Sequence, residues 1–171
     1  SQNYNVVERK TSRSILEEWK VSLSEVNEDN DLTVKFQEEI TKRKLEDEIS
    51  AIASPDIWFT ERTHMDLFTY ALVSIGKNNK YNEWLNSYYD KCAAYTNMYS
   101  HVFYLMNGCF EVEADGVRGE NKFYSDMVDQ TMLRLSYQVI PKRLTSIQKC
   151  ELDSRIEIIT TTTHNHTMSQ N

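Results

Sequence analysis

Three carboxylates alternate along one short stretch of the chain, and they are the side chains best suited to chemistry. Glu111, Glu113 and Asp115 are each separated by one residue, and in an extended strand such positions share one face. Carboxylate oxygens are the ligands that Mg²⁺ and Mn²⁺ prefer, and two-metal nucleases use them. One hypothesis is therefore a metal-dependent nuclease or phosphoesterase. The other, which we favour, is the solvent-facing side of a half-buried strand, where such alternation is ordinary.

The remaining reactive residue types do not assemble into a recognisable catalytic motif. Cys92, Cys109 and Cys150 lie far apart and form no CxxC pair, which predicts reduced core thiols in an intracellular protein. His164 and His166 belong to a polar tail in which nothing positions them as ligands. The sequence contains no GxGxxG, GxxxxGK[ST], GxSxG or HExxH motif, so we expect no small-molecule cofactor.

Two further polar features are predicted to be structural. The basic run Lys42, Arg43 and Lys44 is bracketed by acidic residues at helical spacing, which predicts a solvated, salt-bridged helix face. His64 is a single histidine at a predicted helix start, and we expect it to be a cap-region or surface residue.

Tyrosine is concentrated in one segment of the chain. Six of the ten tyrosines lie between residues 81 and 104. Tyrosine combines a large apolar area with a polar tip, which suits interface contacts. We therefore predict an interaction surface that consists of Trp84, Tyr88, Tyr89, Tyr95 and Tyr99. The alternative is a peripheral core helix whose hydroxyl groups reach water.

The tyrosine segment is predicted to be one long helix. Apolar positions from Leu85 to Met106 recur at alternating spacings of three and four, which is the pattern of a helical face. A helix from about 82 to 106 explains them, with Gly108 at its C-terminal stop. The alternative treats Asn107-Gly108 as a two-residue hairpin turn between strands.

The remaining patterns predict a mainly α protein with a minor β component (α+β). Further amphipathic helices are predicted at residues 14–26, 33–52, 63–75 and 123–139, with a short helical turn at 144–147. The alternation at 109–114 and the β-branched run at 155–163 predict two paired strands. The expected architecture is five or six amphipathic helices and one small two-stranded β element.

Length and pattern favour one folded domain. A chain of 171 residues suits a single hydrophobic core. We expect this domain to cover residues 14–163, preceded by a flexible segment at 1–13 and followed by a flexible polar tail at 164–171.

Charge and hydropathy exclude several classes of partner. The 19 basic and 26 acidic residues give a formal charge of −7, which argues against general nucleic-acid binding. Neither a spanning apolar run nor a signal-peptide core is present, so we expect no membrane contact and an intracellular, cytoplasmic location.

These observations favour a non-catalytic protein–protein interaction or assembly module, which acts on a protein partner or by self-association. The abundance of Asn, Lys, Ile and Tyr is compatible with a domain of a larger viral or mobile-element protein. The alternative is the metal-dependent nuclease or phosphoesterase that would use Glu111, Glu113 and Asp115.

Overall fold

The computed structural model describes residues 4–7, 11–106, 121–148 and 151–168. These residues form seven α-helices, one short 3₁₀ helix and two two-stranded sheets. The predicted class, mainly α with a minor β component, is confirmed. The chain divides into two compact units, Ser1–Met98 and Tyr99–Asn171, called unit 1 and unit 2 below. The grouping of residues 14–163 as a single domain stays a prediction.

Unit 1 consists of a small parallel strand pair and five α-helices. Its elements are β1 (Tyr4–Val6), α1 (Thr11–Trp19), α2 (Leu23–Glu28), α3 (Asn30–Ile52), β2 (Ile57–Phe59), α4 (His64–Ile75), a 3₁₀ helix (Asn79–Tyr81) and α5 (Asn82–Thr96). Tyr4 pairs with Ile57, and Val6 pairs with Phe59. The strands run parallel, so the chain between them must cross back along the sheet, and α1, α2 and α3 form that crossover.

Local capping divides the first predicted helix in two. The backbone N–H of Glu25 donates to the Ser22 hydroxyl at 3.2 Å, and the N–H of Ser22 donates to Glu25 Oε2 at 2.7 Å. This capping box starts α2, and Lys20 just before it has a positive φ of 54°. The prediction of one helix over 14–26 is therefore wrong, because a reciprocal cap satisfies the N–H groups of a new helix start.

Apolar side chains from several helices fill the described part of unit 1. One cluster joins α1, α2, α3 and α4 through Ile15, Val26, Phe36, Ile40 and Leu67. Helices α4 and α5 pack against each other, and their buried apolar residues are Met65, Leu67, Phe68, Ala71, Ile75, Leu85, Tyr88 and Cys92. The free Cys92 thiol is buried, as the sequence predicted, and burial raises its pKa to about 12.

The predicted helix from 82 to 106 is also wrong, because α5 ends at Thr96. Asn97 closes the last turn, since both its backbone N–H and its side-chain Nδ2 donate to the Ala93 carbonyl at 3.0 Å. Residues Val102–Leu105 then form strand β3. Asn107 and Gly108 lie outside the described residues, so the hairpin alternative is not decided there.

Unit 2 contains β3, α6 (Lys122–Val139), β4 (Leu144–Ile147) and α7 (Leu152–Met168). β3 and β4 are parallel, and Val102 pairs with Leu144 while Leu105 pairs with Ile147. The predicted helical turn at 144–147 is therefore a strand. The N–H of Val102 donates to the Arg143 carbonyl at 2.8 Å, which extends the pairing by one bond.

The β-branched run at 155–163 is helical, so its predicted role as a strand is wrong. Thr160 Oγ1 and Thr163 Oγ1 donate to the carbonyls of Ile156 and Ile159, each at 2.7 Å. Such bonds to the preceding turn accommodate threonine in a helix. Its predicted partner, residues 109–114, lies outside the described residues. Within the described ranges, no helix is long and apolar enough to cross a membrane.

Candidate functional site

The acidic alternation cannot be located in the structure. Glu111, Glu113 and Asp115 lie outside the described residues, as do Cys109 and Cys150. In the part of the chain that the structure does describe, no group of three or more His, Cys, Asp or Glu side chains could hold a metal ion. The nuclease hypothesis therefore stays a prediction, and no described contact favours it.

Tyr88, which the sequence placed on an interaction surface, belongs to the core. Its side chain is 2% exposed, and its hydroxyl lies 2.6 Å from Thr41 Oγ1 and donates to the Gln37 carbonyl at 3.2 Å. Burial raises the pKa of this phenol above its ordinary value. Tyr88 therefore joins α5 to α3 and is not available to a partner.

The other α5 aromatics of the predicted surface are half-buried against unit 1. Trp84 stacks on Tyr88 with ring centroids 4.7 Å apart, and its Nε1 donates to Glu38 Oε1 at 2.9 Å. Tyr89 meets Phe68 edge-on at 5.2 Å, and Tyr95 meets the His64 ring at 5.0 Å. Through these contacts, part of the ring surface of each residue is packed inside unit 1 and is not exposed to a partner.

Tyr99, the fifth residue of the predicted surface, is half-buried in unit 2. Its carbonyl accepts a hydrogen bond from Arg143 Nη1. An interaction surface of Trp84, Tyr89, Tyr95 and Tyr99 stays a prediction, without the buried Tyr88.

A buried charged cluster connects α3 to the start of α4. Lys44 and Glu48 lie one turn apart on α3 and are 0% and 2% exposed, and His64 at the first position of α4 is 0% exposed. Lys44 Nζ pairs with Glu48 Oε1 and donates to Thr60 Oγ1 at 3.2 Å and to the Glu61 carbonyl at 3.5 Å. The expectations of a solvated Lys44 and a surface or cap-region His64 are corrected: His64 is the first residue of α4, but its side chain is fully buried.

Glu48 is the centre of this cluster. Its Oε1 also accepts from the Thr60 hydroxyl at 2.8 Å, and its Oε2 lies 3.2 Å from His64 Nε2. Burial by itself would raise the pKa of Glu48, but the His64 hydrogen bond, the Lys44 charge and the bonds from Lys44 and Thr60 outweigh it and lower the pKa to about 2. Glu48 is therefore a carboxylate across the ordinary pH range.

The burial of this cluster indicates that it fixes the position of neighbouring backbone and does not bind a substrate. Lys44 and His64 are fully buried, so a substrate could not touch them without displacing protein. The cluster holds residues 60–64, which follow β2, against α3. The i,i+4 spacing of Lys44 and Glu48 was visible in the sequence, but the same spacing occurs in the exposed pair Lys42–Glu46. Spacing alone does not distinguish the two.

Among the described residues of unit 2, the most exposed large apolar side chain lies on α6. Asn121 begins this helix, since its Oδ1 accepts from the N–H groups of Phe123 and Tyr124 at 3.1 and 3.2 Å. Phe123 is 85% exposed and Met127 is 49% exposed, while Val128 and Ser136 on the opposite side are buried. The sequence pattern predicted Phe123 and Met127 as part of the apolar face of an amphipathic helix, and both are in fact open to solvent.

Five exposed residues follow one line along this helix. Positions 123, 127, 130, 134 and 137 recur at spacings of four and three and are all exposed, so they lie on one helical face. We call this face the α6 stripe; its members are Phe123, Met127, Gln130, Arg134 and Tyr137. The stripe offers apolar area and two polar groups but no catalytic constellation.

Comparisons of the chain with protein-family models, with curated proteins and with solved structures found no match.

Proposed function

We propose that the chain is a non-catalytic protein–protein interaction or assembly module, and that the α6 stripe is its main contact surface. The observation that carries this proposal is the 85% exposure of Phe123 on the same face as exposed Met127 and Tyr137. Burial of a phenylalanine or methionine side chain contributes about 1.5–3 kcal/mol. A row of such side chains left in water therefore favours association with another surface.

The residue types of the stripe support the same proposal. Aromatic residues, methionine and arginine are enriched at the centres of protein interfaces, and the stripe contains Phe123, Met127, Arg134 and Tyr137. Gln130 adds an amide that can both donate and accept hydrogen bonds. In contrast, the aromatic rings of α5 already pack on α3 and α4. This difference supports α6 rather than α5 as the proposed contact surface.

Site-specific photo-crosslinking tests this proposal. A photoreactive amino acid is placed at Met127 in the full chain, and the matched control carries it at Lys91, an exposed position on α5. We expect a discrete adduct from position 127 and none from position 91. Phe123→Ser should reduce the adduct about tenfold or more, because it removes burial worth about 1.5–3 kcal/mol. Equal crosslinking at both positions, or no adduct from position 127, would overturn the proposal.

A further inference from the structure

We infer that the occupant of the α6 stripe is a second copy of this chain, docked antiparallel through α6 about a twofold axis at Gln130. This inference rests on the proposed function, since it names the partner of the same surface. It is carried by two features of α6: the equal spacing of the two aromatic stripe residues about Gln130, and the opposite charges on and beside the stripe.

The two aromatic residues of the stripe lie at equal distances from its centre. Phe123 and Tyr137 are each seven residues from Gln130, which corresponds to about 10 Å along the axis at 1.5 Å per residue. In an antiparallel pair centred on Gln130, Phe123 of each copy therefore lies opposite Tyr137 of the other. Paired aromatic rings are favourable at such contacts. The same patch serves on both copies, as a twofold interface requires.

The charges select the antiparallel arrangement. Asp126 and Arg134 lie four residues on either side of Gln130, and both are exposed. About the proposed axis, Asp126 of each copy is level with Arg134 of the other, which forms two equivalent opposite-charge pairs. A parallel pair would place Asp126 against Asp126 and Arg134 against Arg134, and like charges across an interface are unfavourable.

Gln130 fits the axis itself. At the axis, the same side chain of each copy meets its equivalent, so a polar side chain there needs to form hydrogen bonds with an identical one. An amide carries both donor and acceptor groups and can do so. Helix α7 also exposes Leu152 and Ile156, but no comparable charge pattern identifies what would cover them.

Sedimentation equilibrium of the full chain measures the self-association directly. We expect a mass that rises with concentration from 20.1 kDa to twice that value. Phe123→Ser with Met127→Ser should raise the dimer Kd at least about a hundredfold, since both copies lose apolar burial. Asp126→Arg and Arg134→Asp should each raise it about threefold to tenfold, whereas the double reversal should restore it. Asp90→Arg, an exposed reversal on α5, is the control and should leave Kd unchanged.

Disulfide formation tests the register. In a chain with Cys109→Ser and Cys150→Ser, Gln130→Cys should link to itself across the axis. Asp126→Cys and Arg134→Cys should link efficiently only when the two variants are mixed, because position 126 of one copy lies opposite position 134 of the other. Circular dichroism of each variant verifies that the helices are retained. Efficient self-linking of Asp126→Cys in the folded protein would indicate a parallel pair and would overturn the register.

The two proposals fail in different ways. A chain that stays monomeric at all concentrations overturns the self-association, whatever the crosslinking shows. If position 127 then forms an adduct with another protein, the interaction function stands and its partner is that protein. If the chain is monomeric and position 127 forms no adduct, both proposals are wrong.

Discussion

Lys44 and Glu48 stabilise unit 1 only together, because either buried charge without the other would be destabilising. Removing two charges from water is costly, and their attraction compensates only when hydrogen bonds complete the site. Here Thr60, His64 and the Glu61 carbonyl supply those bonds. The buried pair therefore specifies how residues 60–64 lie against α3, rather than adding a large net free energy.

Removing one member of this pair should be strongly destabilising. We expect Glu48→Ala to lower the free energy of unfolding by about 3–5 kcal/mol, because it leaves the Lys44 charge buried without its carboxylate. Glu46→Ala is the matched control, since Glu46 forms the same i,i+4 contact with Lys42 on the same helix but is exposed. It should cost less than about 1 kcal/mol. Urea denaturation followed by circular dichroism gives both values, and similar losses would contradict the account.

The acid stability of the protein should depend on Glu48. Its pKa is about 2 in the folded protein, against an ordinary value of 4.5, so the folded state binds this proton less readily than the unfolded chain. The stabilisation is therefore fully present above about pH 4.5 and is lost as the pH falls toward 2. Glu48→Gln should flatten the decline of unfolding free energy over that range. An unchanged slope in a pH series of urea titrations would show that Glu48 is not the group responsible.

At the scale of elements, the chain marks its helix starts more clearly than its helix ends. Ser22, Asp29, Thr63 and Asn121 all precede helices, and Ser, Asp, Thr and Asn are the ordinary N-cap residues. The Ser22–Glu25 box is visible in the sequence, but Leu16, Trp19, Leu23 and Val26 continue one apolar spacing across it and so predict a single helix.

The Ser22 cap offers a direct test of the break between α1 and α2. We expect Ser22→Ala to lower the free energy of unfolding by about 1 kcal/mol, since the Glu25 N–H loses its acceptor. Ser24→Ala is the control: Ser24 lies inside α2, and its hydroxyl bonds only to the exposed Glu28 side chain among the contacts that the structure describes. Thermal denaturation compares the two. No loss, or a gain, for Ser22→Ala would indicate that α1 and α2 are joined as one helix, because alanine is favoured over serine inside a helix.

The end of α5 could not be predicted from periodicity. Val102 and Met106 continue the helical spacing of Leu85 to Tyr99, yet residues 102–105 pair with Leu144–Ile147, about forty positions away. A strand partner so far along the chain cannot be recognised from a short stretch of sequence. A short run of β-branched and aromatic residues does not by itself distinguish a strand from a helix. The same ambiguity between helix and strand applies to α7, whose threonine-rich sequence predicts a strand but forms a helix.

At the scale of the whole molecule, the sequence was sufficient for the fold class but not for the surface. Long amphipathic patterns predict a mainly α protein, and the described residues confirm it. Which apolar residues remain exposed depends on where other elements pack. The tyrosines of α5 are predicted as surface, yet Tyr88 is core. Conversely, Phe123 and Met127 belong to the apolar positions of the amphipathic helix predicted at 123–139, yet both are exposed.

The measurement that tests the central claim most directly is oxidative footprinting of two methionines. Met127 lies on the α6 stripe and is 49% exposed, while Met98 at the end of unit 1 is 42% exposed and serves as the control. Both are oxidised in dilute purified protein and in the cells that produce the full chain, and mass spectrometry compares the rates. We expect Met127 to be protected at least severalfold in cells while Met98 is unchanged. Equal oxidation of Met127 in both settings would mean that the α6 stripe faces only water, and the interaction surface proposed here would be wrong.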